Sequence, residues 1–211
     1  MQTNQYLKIR ETSIQLSEKI FQWGGDKYQH QTAAQKLNLW HNGHLVARGK
    51  NDMEYFLEYL LYYGKHKGQL LLEQFFDSDI ALNDTEELIL EGMVNANISI
   101  FEVNDVDASE DACRVFVTDL LNAGSYELIN RGLATTASQG VILGIRLIEI
   151  ANGVHMTSGA SFAFDAAHKN KLLNYYSHQK FKARRKKLTS EELFLFLYSK
   201  SSIYGSISIH L

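Results

Sequence analysis

Proline is absent from this chain of 211 residues, and cysteine occurs once, at Cys113. A single cysteine cannot form a disulfide within the chain or supply the thiolates of a zinc cluster. No apolar stretch reaches the ~18 uncharged residues that span a bilayer, and the polar first residues are untypical of a secretory signal. These absences predict a cytoplasmic protein with no membrane segment, no metal and no cofactor.

The common catalytic motifs are also missing. The sequence contains no G-x-S-x-G, no G-x-x-x-x-G-K-[ST], no G-x-G-x-x-G and no H-E-x-x-H, which are the patterns of nucleophile elbows, phosphate loops and zinc proteases. The acidic pairs Glu86-Glu87 and Glu191-Glu192 fall in predicted first turns of helices, where the helix dipole accounts for them. An enzyme is therefore disfavoured, although a site assembled from distant residues stays open.

Charges of opposite sign are separated along the chain. Residues 1–50 carry seven cations and three anions, residues 51–165 carry five and nineteen, and residues 166–211 carry nine and two. The net charges of the three segments are therefore +4, −14 and +7. This segregation predicts either an internal interface of complementary charge or two faces of opposite sign.

The hydrophobic periodicity changes once, near Asn97, from a helical repeat to an alternating one. Five alternating segments follow, separated by short turns: ISIFEVNDV, CRVFVTDL, SYELINR, GVILGIRLIEI and VHMTSGASFAF. We therefore predict an α+β fold, with helices over 1–95, a five-stranded antiparallel meander or small barrel over 96–165, and helices again over 166–211.

One predicted helix, beginning near Asp52, has an unusually wide apolar surface. Besides an apolar stripe at helical spacing, it carries four tyrosines on neighbouring positions: Tyr55, Tyr59, Tyr62 and Tyr63. Such a surface is either buried on two sides or used by a partner. The tyrosines are therefore a candidate contact surface for a protein partner or for a second copy of the chain.

Three charged residues stand among the β-branched and aromatic residues of the predicted sheet: Asp119, Arg131 and Arg146. Charges in such surroundings must be paired, so an ion pair across strands is the preferred interpretation. The alternative is the lining of a small anion pocket, which together with His155 would give an enzyme a dispersed site.

Six cations lie within eight positions in the segment 180–187, called here the basic segment: Lys180, Lys182, Arg184, Arg185, Lys186 and Lys187. On a continuous helix, Lys180, Arg184 and Lys187 would share one face able to contact phosphates. The preferred interpretation is a helix end, because cations favour the last turn. Thr189 and Glu192 form a capping box for the next helix, and internal pairing with the acidic middle segment is also open.

Two stretches from about residue 82 to 165, LNDTEELILEGMVNANISIFEVNDVD and VTDLLNAGSYELINRGLATTASQGVILGIRLIEIANGVHMTSGASFAF, resemble uncharacterised bacterial proteins with a small β module. Some of those proteins carry a zinc tail of the SEC-C kind, which this chain lacks. The resemblance implies a bacterial cytoplasmic protein and brings no activity with it.

The function predicted from the sequence is a non-catalytic binding or regulatory module. Its partner would be another protein, or nucleic acid bound through the basic segment. The alternatives are an enzyme with a dispersed site in the β module and a structural homodimer.

Overall fold

The computed structural model describes residues 3–49, 51–109 and 112–204. The chain forms two compact units, one made by Asn4–Ala96 and one by the residues from Asn97 onward. Within the described ranges, none of the helices combines the length and the apolar character that crossing a bilayer requires.

The first unit is built from helices joined by short turns and two small hairpins. Its helices are α1 Thr3–Gly24, α2 His30–Lys36, α3 Asp52–Tyr63, α4 Leu71–Phe76 and α5 Asp84–Asn95. Its strands are β1 Trp40–His41 with β2 His44–Leu45, and β3 Lys65–His66 with β4 Gln69–Leu70. Asn83 caps α5 in a capping box with Glu86.

The second unit contains a closed β-barrel flanked by helices, so the predicted α+β class is confirmed. Its strands are β5 Ile98–Asp107, β6 Arg114–Asp119, β7 Ser125–Ile129, β8 Ile142–Ala151, β9 Val154–Thr157 and β10 Phe162–Phe164. Its helices are α6 Arg131–Thr136, α7 Lys169–Lys182 and α8 Ser190–Tyr204. The barrel closes through the order β8-β5-β6-β7-β9 and back to β8, and β10 lies beside the first half of β8.

The barrel is mixed rather than antiparallel, which corrects the prediction. β7 and β9 pair in parallel, with Leu128 opposite His155, and this pairing closes the ring. The single last strand predicted from the sequence is in fact two, because β9 and β10 both pair with β8 and are separated by residues 158–161. The gap lets β9 turn towards β7 while β10 stays on β8.

Alternation along the strands divides inner from outer residues. The interior is filled by apolar side chains, among them Phe101, Val103, Val115, Val117, Leu128, Leu143, Ile145 and Leu147. Helix α6 adds Leu133 and Ala134 to this core. Its N-terminus is fixed by Asn130, whose Oδ1 accepts from the Leu133 backbone N–H at 2.9 Å while its Nδ2 donates to Thr157 Oγ1.

Helix α8 covers part of the outer surface of the barrel. The ring of Phe194 packs edge-on against Phe162 of β10, with centroids 5.3 Å apart, and Leu197 lies over Gly144 of β8. Both Phe194 and Leu197 are fully buried. The strongly apolar sequence of α8 is therefore explained by packing on the sheet.

Candidate polyanion-binding site

The basic segment is not one helix. Helix α7 ends at Lys182, and Arg184 takes a left-handed conformation with φ 52°. The Arg184 N–H donates to the Phe181 carbonyl at 3.0 Å and the Arg185 N–H to the Lys180 carbonyl at 3.1 Å, which is the Schellman arrangement of a helix end. The predicted face through Lys180, Arg184 and Lys187 is therefore wrong, because the chain turns before its second member.

Helix α8 begins immediately after this turn, with the capping box that the sequence predicts. The Thr189 backbone N–H donates to Glu192 Oε2 at 2.8 Å, and the Glu192 N–H donates to Thr189 Oγ1 at 3.2 Å. Arg185 Nη1 lies 2.8 Å from the same carboxylate. The hydrogen bond from the Thr189 N–H, and to a smaller extent the charge of Arg185, holds the pKa of Glu192 below its usual range. Arg185 is therefore one cation of the basic segment that has an acidic partner.

Lys187 is held by the hairpin turn between β6 and β7. Its Nζ donates to Asn122 Oδ1 at 2.5 Å, and Asn122 Nδ2 donates to Asp119 Oδ2 at 2.8 Å. Lys180 lies over the ring of Tyr176, 5.3 Å from its centroid. Arg185 and Lys187 thus attach the basic segment to α8 and to the β6–β7 turn, but neither of them, nor Lys180, contacts an acidic residue in the described part of the middle segment.

The side chains of the other three cations make no such contact within the described residues. Lys182, Arg184 and Lys186 are exposed, and within the described parts of the chain none of them has an acidic partner. The side chain of Phe181 stands among them with 83% of its surface exposed. Between Asp165 and Glu191 the sequence has eight cations and no acid. The turn therefore presents unneutralised positive charge around an exposed aromatic ring.

A second cationic and aromatic group is formed by residues nearer the N-terminus of α7 and by the last turn of α8. The rings of Tyr175 and Tyr204 have centroids 6.5 Å apart, with Lys200 Nζ 4.2 Å from the Tyr175 centroid and Lys171 Nζ 4.9 Å from that of Tyr204. A hydrogen bond from Tyr204, and then the charge of Lys171, lower the pKa of Tyr175. This group was not among the predicted sites.

The predicted tyrosine surface is in the interior. Tyr55, Tyr59, Tyr62 and Tyr63 of α3 have between 4% and 9% of their surfaces exposed, and Tyr59 and Tyr63 pack with ring centroids 5.3 Å apart. Helix α3 packs against α2 and α4. A partner surface requires exposed rings, so these four side chains do not form one in this structure.

The three charged residues of the sheet are directed to different places. Asp119 follows Val115 and Val117 in alternation and is buried on the interior side, whereas Arg146 lies between the interior residues Ile145 and Leu147 and is therefore buried on the outer side. Arg131 begins α6 and is exposed.

The donors to Asp119 in this structure are neutral. They are Ser99 Oγ, the backbone N–H groups of Leu121 and Asn122, and Asn122 Nδ2. The strands thus separate the three charges predicted to form an ion pair or pocket.

His155, the fourth member of the predicted dispersed site, lies on β9. Its ring packs edge-on against Tyr126, with centroids 5.2 Å apart, and its buried Nδ1 has no hydrogen-bond partner among the described residues. In the described ranges, no three His, Cys, Asp or Glu side chains are grouped so as to hold a metal ion.

These features define an α+β protein with a small closed barrel and a basic, partly aromatic surface on its C-terminal helices. The chain belongs to DUF7986, a family of unknown function whose model matches residues 1–207. No curated protein and no solved structure matches it.

Proposed function

We propose that this protein is a non-catalytic binding module that contacts the phosphate backbone of a nucleic acid through the basic segment. The observation that carries the proposal is the group of three exposed cations, Lys182, Arg184 and Lys186, which have no acidic partner among the described residues. Free cations grouped on one turn release counterions from a polyanion when they bind it, which favours association.

The backbone that presents these cations is held in place on both sides. The Schellman hydrogen bonds end α7, and the Arg185–Glu192 pair and the Lys187–Asn122 contact fix the segment to α8 and to the β6–β7 turn. Binding therefore needs to order side chains rather than backbone, and the entropic cost of association is reduced accordingly. The paired cations support the site, and the unpaired ones make the contacts.

The test measures the binding of the full chain to a labelled pool of single- and double-stranded oligonucleotides. Fluorescence anisotropy reports the binding over a range of salt concentrations. The variant replaces Lys182, Arg184 and Lys186 by glutamine. If all three contact phosphates, the slope of log K against log salt becomes shallower by about 2 for single strands and by slightly under 3 for duplex.

The matched control replaces Lys8, Lys65 and Lys67 by glutamine. These residues are exposed and lie in the first unit, and the control has the same net charge as the variant. Only the basic-segment variant is expected to change the slope. Absence of binding at low salt, or equal losses in the variant and its control, would overturn the proposal.

The location and the partners that the sequence predicts go with this proposal. A bacterial, cytoplasmic protein fits a nucleic-acid ligand, and the resemblance to bacterial proteins with a small β module supports that setting. A protein partner, a homodimer and a dispersed catalytic site stay predictions from the sequence.

A further inference from the structure

We infer that the ligand of this surface is a single-stranded nucleic acid, whose bases stack on Phe181 and Tyr175 while its phosphates follow the cations of α7. This inference rests on the proposed function. It adds the class of nucleic acid and the aromatic residues that contact its bases. It joins the basic segment to the cationic and aromatic group at Tyr175 and Tyr204.

The two groups lie on one exposed face of α7. At 100° per residue, six exposed residues fall within about 120° of the helix circumference: Lys171, Asn174, Tyr175, His178, Phe181 and Lys182. The opposite side of the helix carries the buried residues Leu172 and Tyr176. From Lys171 to Lys182 the exposed face is ~17 Å long, and α7 contains no acidic residue.

Phe181 is the strongest indication of a base. Its ring is 83% exposed, and Lys182 and Arg184 lie beside it in sequence without acidic partners among the described residues. Aromatic side chains set in a positively charged path are the elements with which proteins bind single strands, because every base has a face that stacks. Cations next to the ring meet the phosphates on either side of the stacked base.

Tyr175 supplies the second aromatic ring. It is 39% exposed, and Lys200 and Lys171 carry positive charge to the Tyr175–Tyr204 pair. The Tyr204 ring and the Lys200 ammonium pack against the Tyr175 ring and restrict its rotation, so that less side-chain entropy is lost on stacking. The combination of an aromatic ring with neighbouring cations, present at Phe181, thus recurs about 9 Å further back along the same helix face.

Competing ligands use less of this surface. A duplex keeps its bases stacked on one another, so it could use the cations but not the two rings. An anionic membrane would attract the same cations, but firm interfacial binding requires a broad apolar face. The exposed face of α7 offers one phenylalanine and one tyrosine among polar residues, and a single strand is the ligand that engages both its charge and its rings.

The experiment compares the affinity of the full chain for single-stranded oligonucleotides, for duplexes of the same length, for inorganic polyphosphate and for vesicles containing phosphatidylserine. The variants are Phe181→Leu and Tyr175→Leu, which remove a ring but keep apolar bulk. Phe181→Trp and Tyr175→Phe are the conservative controls. Each leucine variant is expected to lose between about 5-fold and 100-fold in single-strand affinity, with polyphosphate binding unchanged and the conservative variants close to the original.

The outcomes separate this inference from the proposed function. Equal affinity for duplex and single strand, or leucine variants that keep single-strand affinity, would overturn the inference while phosphate binding stands. If the unaltered chain bound neither nucleic acid nor polyphosphate, the proposed function itself would be wrong. Preferential binding to the vesicles would reassign the surface to a membrane and overturn both.

Discussion

The close approach of α8 to the barrel yields a quantitative prediction at Gly144. A Cβ atom on Gly144 would lie 2.7 Å from Leu197 Cδ1 and 2.9 Å from Cδ2. Leu197 is fully buried, so it cannot move aside freely. We expect Gly144→Ala to lower the free energy of unfolding by about 1–3 kcal/mol through overpacking, and Leu197→Ala to lower it by about 2–5 kcal/mol by leaving a cavity.

The double variant Gly144→Ala/Leu197→Ala distinguishes a direct contact from two independent losses. The methyl group introduced at position 144 enters space that the shortened side chain at position 197 has left. The double variant should therefore lose less than the sum of the single variants, with a coupling of about 0.5–3 kcal/mol, as expected of residues in contact.

The assay has to report on the second unit. Both tryptophans, Trp23 and Trp40, lie in the first unit, so their fluorescence does not report on the barrel. Amide hydrogen exchange of β8 and β10, measured alongside unfolding in urea by circular dichroism, is suitable. Losses that add to within about 0.5 kcal/mol would refute the contact.

Three further predictions concern single residues. Arg184→Gly should raise the free energy of unfolding in urea by up to about 1 kcal/mol, because glycine adopts the left-handed conformation without strain, and it should weaken nucleic-acid binding. Asp119→Ala should destabilise the second unit by about 1–3 kcal/mol in the same exchange measurement, since the buried Ser99 hydroxyl and the half-buried N–H groups of Leu121 and Asn122 lose their acceptor. The pKa of Glu86 is lowered chiefly by the hydrogen bond from the Asn83 N–H. The contribution of this carboxylate to stability is therefore fully present above the pKa of a glutamate in the unfolded chain, about 4.3. It is lost as pH falls through the lower folded value, and Glu86→Gln should flatten that acid decline in urea titrations.

Local features were predictable because they depend on residues close in sequence. The capping boxes of α5 and α8 require only an oxygen-bearing cap and an acid three residues later, and both Asn83 and Thr189 form them. The change of periodicity near Asn97 placed the barrel, since alternation reports one buried side of a sheet whatever the partner strand is. Fold class and most element positions follow from these short-range rules.

Closure of the barrel was not predictable in the same way. Alternation in β7 and β9 is the same for parallel and antiparallel neighbours, so it cannot indicate that Leu128 lies opposite His155 in a parallel pair. The tyrosines of α3 fail for a related reason, because a wide apolar face has the same pattern whether it is buried by its own chain or by a partner. Long-range pairing decides both, and one sequence does not contain it.

The position of the candidate site could be predicted from the sequence, but its contacts could not. The composition of the basic segment located the cations, but not which of them are held by other side chains, because the acceptors Asn122 and Glu192 lie on other elements. Helix termination at Arg184 was concealed too, since a left-handed residue at a helix end is usually glycine. The exposure of Phe181 could not be predicted from its own position. The sequence indicates only that no acidic residue lies between Asp165 and Glu191.

The end of α7 also bears on the proposed function. Glycine at position 184 would be more stable in this backbone conformation, yet the chain carries arginine there with φ 52°. Local strain of this kind is a reason to look for a function, and here the strained residue is one of the three cations, Lys182, Arg184 and Lys186, that are proposed to contact phosphates. A stability gain together with a binding loss in Arg184→Gly would mean that the arginine serves the ligand rather than the fold. A stability gain with unchanged binding would leave Lys182 and Lys186 as the phosphate contacts. The bound nucleic acid would then lie along helix α7 rather than across the turn at Arg184.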